Sequence, residues 1–182
     1  MTSLHHLNFL SLNVGMSSSL AGLSALITTE KLDIIFLQEV RMTSLQIESQ
    51  LAGFRAVANI DHDNLNIPGT ALVWRQALPV ENVVAFSHCR TQVASLGTYR
   101  LINIYAPSGS NKKEARAIFF GQEIFNVMQL NSGFPLVLGG DFNCCLNSVD
   151  IENGVGYYQK SCAALQDLVH VLHLVDAFRH CH

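Results

Sequence analysis

Five short β-rich runs follow one another between residues 54 and 105, and helix–strand alternations frame them on both sides. This order constrains the fold more than any other feature. The runs Phe54–Ile60, Thr70–Trp74, Val80–Phe86, Thr91–Leu96 and Tyr99–Tyr105 are divided by Pro68-Gly69, Leu78-Pro79, Ser87-His88 and Gly97, all turn or breaker signals. Their spacing reads as an antiparallel meander. Ahead of it, Leu7–Val14 alternates apolar and polar residues as a strand does. Ser18 or Ser19 is placed to cap a helix running to about Glu30. Asp33–Gln38 is a short buried strand, and Thr43–Leu51 a short helix capped by Thr43 or Ser44 and ended by Gly53. After the β runs, Asn111–Met128 is the longest helical stretch, with Ile118, Phe119, Ile124, Phe125 and Met128 as its expected buried face. Pro135–Gly140 is a further strand, Asn143–Tyr158 a polar loop, and Ser161–Leu172 a last helix that buries Leu165, Leu168, Val169 and Leu172. An α/β layered sandwich built as a single domain of 182 residues fits this order.

Composition removes several function classes. The chain is 49% hydrophobic and 14% charged, which excludes a disordered or fibrous chain. Its formal net charge of −3 excludes a strongly basic, non-specific nucleic-acid binder, although a local basic patch remains compatible with it. No uninterrupted apolar window reaches the length of a membrane span. The segment Met1–Leu12 lacks the charged start of a signal peptide. Five cysteines without a Cys-x-x-Cys pair point to a reducing compartment rather than a disulfide framework. Neither Gly-rich nucleotide-binding fingerprint is present.

Asn13, Glu39, Tyr105 and Asp141 stand at or just beyond strand ends, and Asn143 lies two residues further on. Strand ends and the loops after them are where sheet proteins place catalytic groups. Glu39 and Asp141 carry carboxylates, the natural ligands of a hard cation such as Mg²⁺. The neutral side chains orient phosphate or water by hydrogen bonds. Arg41, Lys112 and Lys113 are candidate phosphate contacts, and Arg116 opens the same long helix as the two lysines. His170 with His173, and His180 with His182, raise a zinc reading, but no zinc framework surrounds them and surface histidines explain them better, as for His5 and His6. Cys144-Cys145 reads as a variable loop position rather than a redox pair.

Taken together, Leu10-Ser-Leu-Asn13, Leu37-Gln-Glu39, Asn103-Ile-Tyr-Ala-Pro107 and Gly139-Gly-Asp-Phe-Asn143 resemble the endonuclease/exonuclease/phosphatase superfamily, in its apurinic-type branch. Pro68–Trp74, Ile104–Gly109 and Leu174–Arg179 resemble the endonuclease domains of LINE retrotransposons in particular. The resemblance runs from about residue 7 to the C-terminus. It implies a four-layer α/β-β/α sandwich of two mixed sheets and metal-dependent phosphodiester hydrolysis that nicks DNA. In this reading Glu39 is the main ligand of Mg²⁺ (or Mn²⁺), with Asn13 beside it. Tyr105 contacts the scissile phosphate, Asp141 activates water, and Asn143 stabilises the transition state.

The resemblance also has a gap. The superfamily's Arg/Leu-Asp strand motif and terminal Ser-Asp-His motif do not follow Leu174–His182. This implies that the last strands of the second sheet are missing, that this sheet has an exposed edge, and that activity is impaired. DNA is the expected partner, a nuclear location follows from it, and a reverse transcriptase domain belongs in a longer parent polyprotein. Two other readings stay open: a non-catalytic retroelement remnant, and a phosphoesterase acting on phosphoinositides or related phosphoesters.

Overall fold

The computed structural model describes residues 7–64, 66–86, 88–147, 150 and 159–181. Residues 148, 149 and 151–158 of the expected polar loop lie outside the described residues, as do His5, His6 and His182. The chain divides into two compact units, Met1–Tyr105 with Ser132–Asp141, and Ala106–Asn131 with Phe142–His182.

The first unit holds two mixed four-stranded sheets. Strands β1 (Phe9–Asn13), β2 (Ile34–Val40), β3 (Phe54–Asn59) and β4 (Gly69–Arg75) make one sheet in the order β1-β2-β4-β3. Strands β5 (Val80–Phe86), β6 (Thr91–Leu96), β7 (Tyr99–Tyr105) and β8 (Leu136–Asp141) make the other in sequence order. β1 runs parallel to β2 and β7 parallel to β8; the other pairs are antiparallel. The five central runs therefore do not form one meander. β4 already pairs on both edges, with β2 and with β3, so it has no edge to offer β5, and the chain starts a second sheet.

Strand alternation sorts the core into two clusters. Ile35, Leu37, Ala71 and Val73 face α1 (Ala21–Glu30) and α2 (Ser44–Gln50), packing on Leu23, Ile27 and Ile47. Ile34, Phe36, Leu72 and Trp74 face the second sheet and meet Ala94, Leu96 and Leu101. This inter-sheet layer changes character along the strands. Following the same face, Phe9 gives way to Ser11 and Asn13, Phe36 to Gln38, Leu72 to Thr70, Ala94 to Gln92, Leu101 to Asn103 and Val137 to Gly139 and Asp141. One end of the interface is apolar and the other is hydrogen-bonded. Gln38 and Asn103, each 1% exposed, join the sheets there: Gln38 Nε2 donates to Asn103 Oδ1 at 2.9 Å. Asn103 Nδ2 donates to the Leu37 and Ala71 carbonyls at 3.1 and 3.0 Å. Gln92 to Val57 O and Asn59 to Thr91 O add two more side-chain links between the sheets, and Thr70 to Cys89 O ties the first sheet to the β5–β6 turn.

Local caps follow sequence chemistry in one helix and not in the other. Thr43 and Gln46 form a reciprocal capping box on α2. α1 has Leu20 at its N-cap and no side-chain cap, contrary to the expected Ser18 or Ser19. Ser17 and Ser19 hydrogen-bond each other, and the Leu20 N–H goes to Gln50 Oε1 at 2.8 Å.

The second unit is helical. The long stretch begins with a 3₁₀ turn (Ser110–Lys112), continues as α3 (Lys113–Ile118), passes through a π turn (Phe119–Ile124) and ends as α4 (Phe125–Gln129). A π turn inserts an extra residue into the helical repeat and rotates the residues after it. Phe119, Ile124 and Met128 are buried as expected; beyond the turn Phe125 is only half-buried and Val127 is buried, and ahead of the turn Ile118 is 47% exposed. α5 (Gln159–Val171) packs against α3 and the π turn and buries Cys162, Leu165 and Leu168, while Val169 and Leu172 are half-buried. The short α6 (Ala177–Cys181) has no counterpart in the sequence pattern; Asp176 caps it by accepting from the Arg179 N–H, and Arg179 also pairs with Asp150.

Two glycines of β8 are fixed by close approach. A Cβ on Gly139 would lie 2.5 Å from the Phe36 ring, and one on Gly140, at φ +147°, 2.1 Å from the Ile104 carbonyl oxygen. Gly140→Ala is expected to destabilise the chain by about 3 kcal/mol. Urea denaturation measures this; a change within experimental error would show that β8 does not pack so tightly.

Candidate active site

The polar end of the inter-sheet layer gathers four of the five residues singled out at strand ends. Asn13, at the end of β1, donates from Nδ2 to Glu39 Oε1 at 3.0 Å and to Asp141 Oδ2 at 2.9 Å. The Tyr105 hydroxyl, from the end of β7, donates to Glu39 Oε1 at 3.2 Å. The side-chain carbonyl oxygen of Asn13 accepts from the Gly15 N–H at 2.9 Å, which fixes the amide's orientation. One amide thus holds two carboxylates from two different sheets.

Glu39 needs a backbone irregularity to take part. Strict alternation on β2 would place it with Ile35 and Leu37, toward the helices. The register shifts between Gln38 and Val40, and Glu39 adopts a left-handed conformation with φ 57°. A non-glycine residue held in that region costs on the order of 1 kcal/mol or more and clusters at functional sites. Here the bulge turns the carboxylate to the face that carries Asn13, Tyr105 and Asp141. The Val14 and Met16 N–H groups bind the Gln38 and Glu39 carbonyls at 3.0 Å each and hold the bulge in place.

Asn143 belongs to the second unit, where it also adopts a positive φ of 50° and donates from Nδ2 to the Ala106 carbonyl at 2.9 Å. Of the candidate phosphate contacts, Arg41 turns its guanidinium toward the Asn66 carbonyl at 3.5 Å. Lys112 and Lys113 are exposed at the start of the long helix. Arg116 is not a solvated cation of that helix: it is 1% exposed and donates to the Pro107 and Gly109 carbonyls at 2.6 and 3.2 Å.

Sequence reading missed Arg90. Its guanidinium lies 4.9 Å from the centre of the Tyr105 ring, and its Nη1 donates to the Tyr105 carbonyl at 3.1 Å. No local motif marks it, because it meets Tyr105 only through the antiparallel β6–β7 pairing, one step beyond Thr91 opposite Ile104.

Oxygen donors dominate the quartet: two carboxylates, an amide and a phenol. This set fits Mg²⁺ or Mn²⁺, hard cations that bind through one or two carboxylates and keep several waters. Among the described residues no group of three or more His, Cys, Asp or Glu is placed to hold a metal. His170 and His173 lie exposed near the end of α5.

The sequence model of the Endonuclease/Exonuclease/phosphatase family matches residues 10–159. The chain belongs to that family. Among solved structures it is similar to an AP endonuclease from Archaeoglobus fulgidus, with a TM-score of 0.70 and 16% identity, over 90% of this chain and 69% of that one. A search of curated proteins gave no match. The family's fold, two mixed sheets in an α/β architecture, is the one observed, and the family identifies a hydrolytic enzyme of nuclease or phosphatase type.

Burial, reinforced by the neighbouring Cys162 thiol and opposed by Arg116, pushes the Cys144 thiol up to about 12. Burial and Cys162 raise Cys145 as well. Thiolate is the reactive form, so at pH 8 Cys144 is expected to alkylate on the order of 10³-fold more slowly in the folded chain than in urea. Iodoacetamide labelling and mass spectrometry check this, and equal rates would contradict it.

Proposed function

We propose that this chain is a DNA-nicking endonuclease of the retrotransposon type, acting on phosphodiesters with Mg²⁺. The observation that carries the reading is the Asn13 amide bridging Glu39 and Asp141 while Tyr105 binds the same Glu39 oxygen. The segments Pro68–Trp74, Ile104–Gly109 and Leu174–Arg179 support the retrotransposon branch by resemblance. DNA is the partner this reading requires, and a nuclear site and a reverse transcriptase neighbour accompany it.

Glu39, with Asn13 beside it, would hold the ion, which when bound neutralises phosphate charge and stabilises the leaving oxygen. The chain's own groups do the rest. Asn13 keeps the two carboxylates from turning away from each other. Asp141 accepts the proton of the attacking water. The Tyr105 hydroxyl turns its single proton from Glu39 to a phosphate oxygen. Asn143, two residues after Asp141 in the motif, supplies a donor to charge that grows in the transition state. Arg41, Lys112 and Lys113 add contacts to flanking phosphates.

Supercoiled plasmid nicking by purified protein in Mg²⁺ tests this. Glu39→Ala and Asp141→Ala are each expected to lower the rate by on the order of 10²-fold or more, with circular dichroism melts showing folded protein. Nicking that survives in both variants, or no nicking by a folded wild-type chain, would overturn the reading.

A further inference from the structure

We propose that Arg90 is a positioning residue for the Tyr105 hydroxyl, an inference that rests on the nuclease reading of the same site. Three contacts tie the two residues. The Tyr105 N–H donates to the Arg90 carbonyl at 2.8 Å, Arg90 Nη1 donates to the Tyr105 carbonyl at 3.1 Å, and the guanidinium covers the ring at 4.9 Å. One side chain thereby fixes both the backbone and the ring plane of Tyr105. The hydroxyl at the far end of that ring meets Glu39.

The chemistry requires a planar, permanently charged group. A guanidinium stacks on an aromatic face and still presents its edge donors. An ammonium retains the charge over the ring but not the fork that reaches the carbonyl. A neutral chain of similar length keeps only the contact area. The order Arg, Lys, Met is therefore a graded test of how firmly the ring is held. Misplacing a group by about 1 Å near the chemistry costs up to about 10²-fold in rate, so a loosened Tyr105 is felt in turnover rather than in substrate binding.

The experiment compares wild type, Arg90→Lys and Arg90→Met by steady-state nicking of a defined duplex in Mg²⁺, with Arg55→Gln as a control remote from the site. It adds ¹⁹F NMR of the same proteins labelled with 3-fluorotyrosine, the Tyr105 signal being identified by its loss in Tyr105→Phe. Arg90→Met is expected to lower kcat by about 10- to 100-fold with KM within about twofold of wild type, and Arg90→Lys to fall between. The Tyr105 resonance is expected to shift in Arg90→Met and to move back toward its wild-type position in Arg90→Lys. An unchanged kcat, or a rise in KM alone, overturns the proposal in favour of a packing or substrate-binding role. If wild type itself nicks nothing, the nuclease reading fails, and the fluorine signal decides the placement of Tyr105 by itself: an unmoved resonance in Arg90→Met overturns the proposal and a moved one upholds it.

Discussion

The hydrogen bond from Gln38 to Asn103 is the interaction on which the site depends. It is buried, it joins the two sheets, and its partners neighbour the chemistry: Gln38 precedes Glu39, and Asn103 is one alternation away from Tyr105. Apolar contacts between the sheets, where Phe36 and Leu72 of one meet Ala94 and Leu101 of the other, tolerate sliding, because dispersion and burial are nearly non-directional. A buried amide pair does not. Any slip leaves donors and acceptors unsatisfied at a cost of about 1–3 kcal/mol for each group. The polar end of the inter-sheet layer therefore sets the register with which the strand ends of one sheet meet those of the other.

The site then arises from alternation with one deliberate break. Asn13, Tyr105 and Asp141 reach the inter-sheet face by ordinary strand geometry, each at the last position of its strand. Glu39 reaches it only because β2 bulges and the residue takes a left-handed conformation. The resulting strain is offset by the contacts the carboxylate gains: Asn13 and Tyr105 both donate to the same oxygen. Glycines serve the same end on β8, where Phe36 and the Ile104 carbonyl leave no room for a side chain and Asp141 is brought within reach of Asn13.

Much of this is legible in the sequence. The alternating pattern of Leu7–Val14, the apolar run at Asp33–Gln38 and the Gly-Gly-Asp ending identify strands whose ends carry polar groups, and their order identifies the family. Pairing is harder to read. Nothing local in Thr70–Trp74 says that β4 inserts between β2 and β3 and so closes the first sheet. The π turn at Phe119–Ile124 has no periodic signature of its own, because it is a defect in the period used to find helices. Arg90 and Arg116 show the same limit for charge. One covers Tyr105 and the other is buried against loop carbonyls, yet an isolated arginine looks alike in sequence whether it is solvated or structural.

The central claim is that a buried amide pair aligns the two sheets. A double-mutant cycle of Gln38→Leu and Asn103→Leu, read out by urea denaturation, tests it most directly. Each single replacement is expected to cost about 1–3 kcal/mol, and the double replacement less than the sum by about 1 kcal/mol or more, because removing both partners removes the orphaned groups. Strictly additive losses would contradict the account and show that the sheets find their register without this bond.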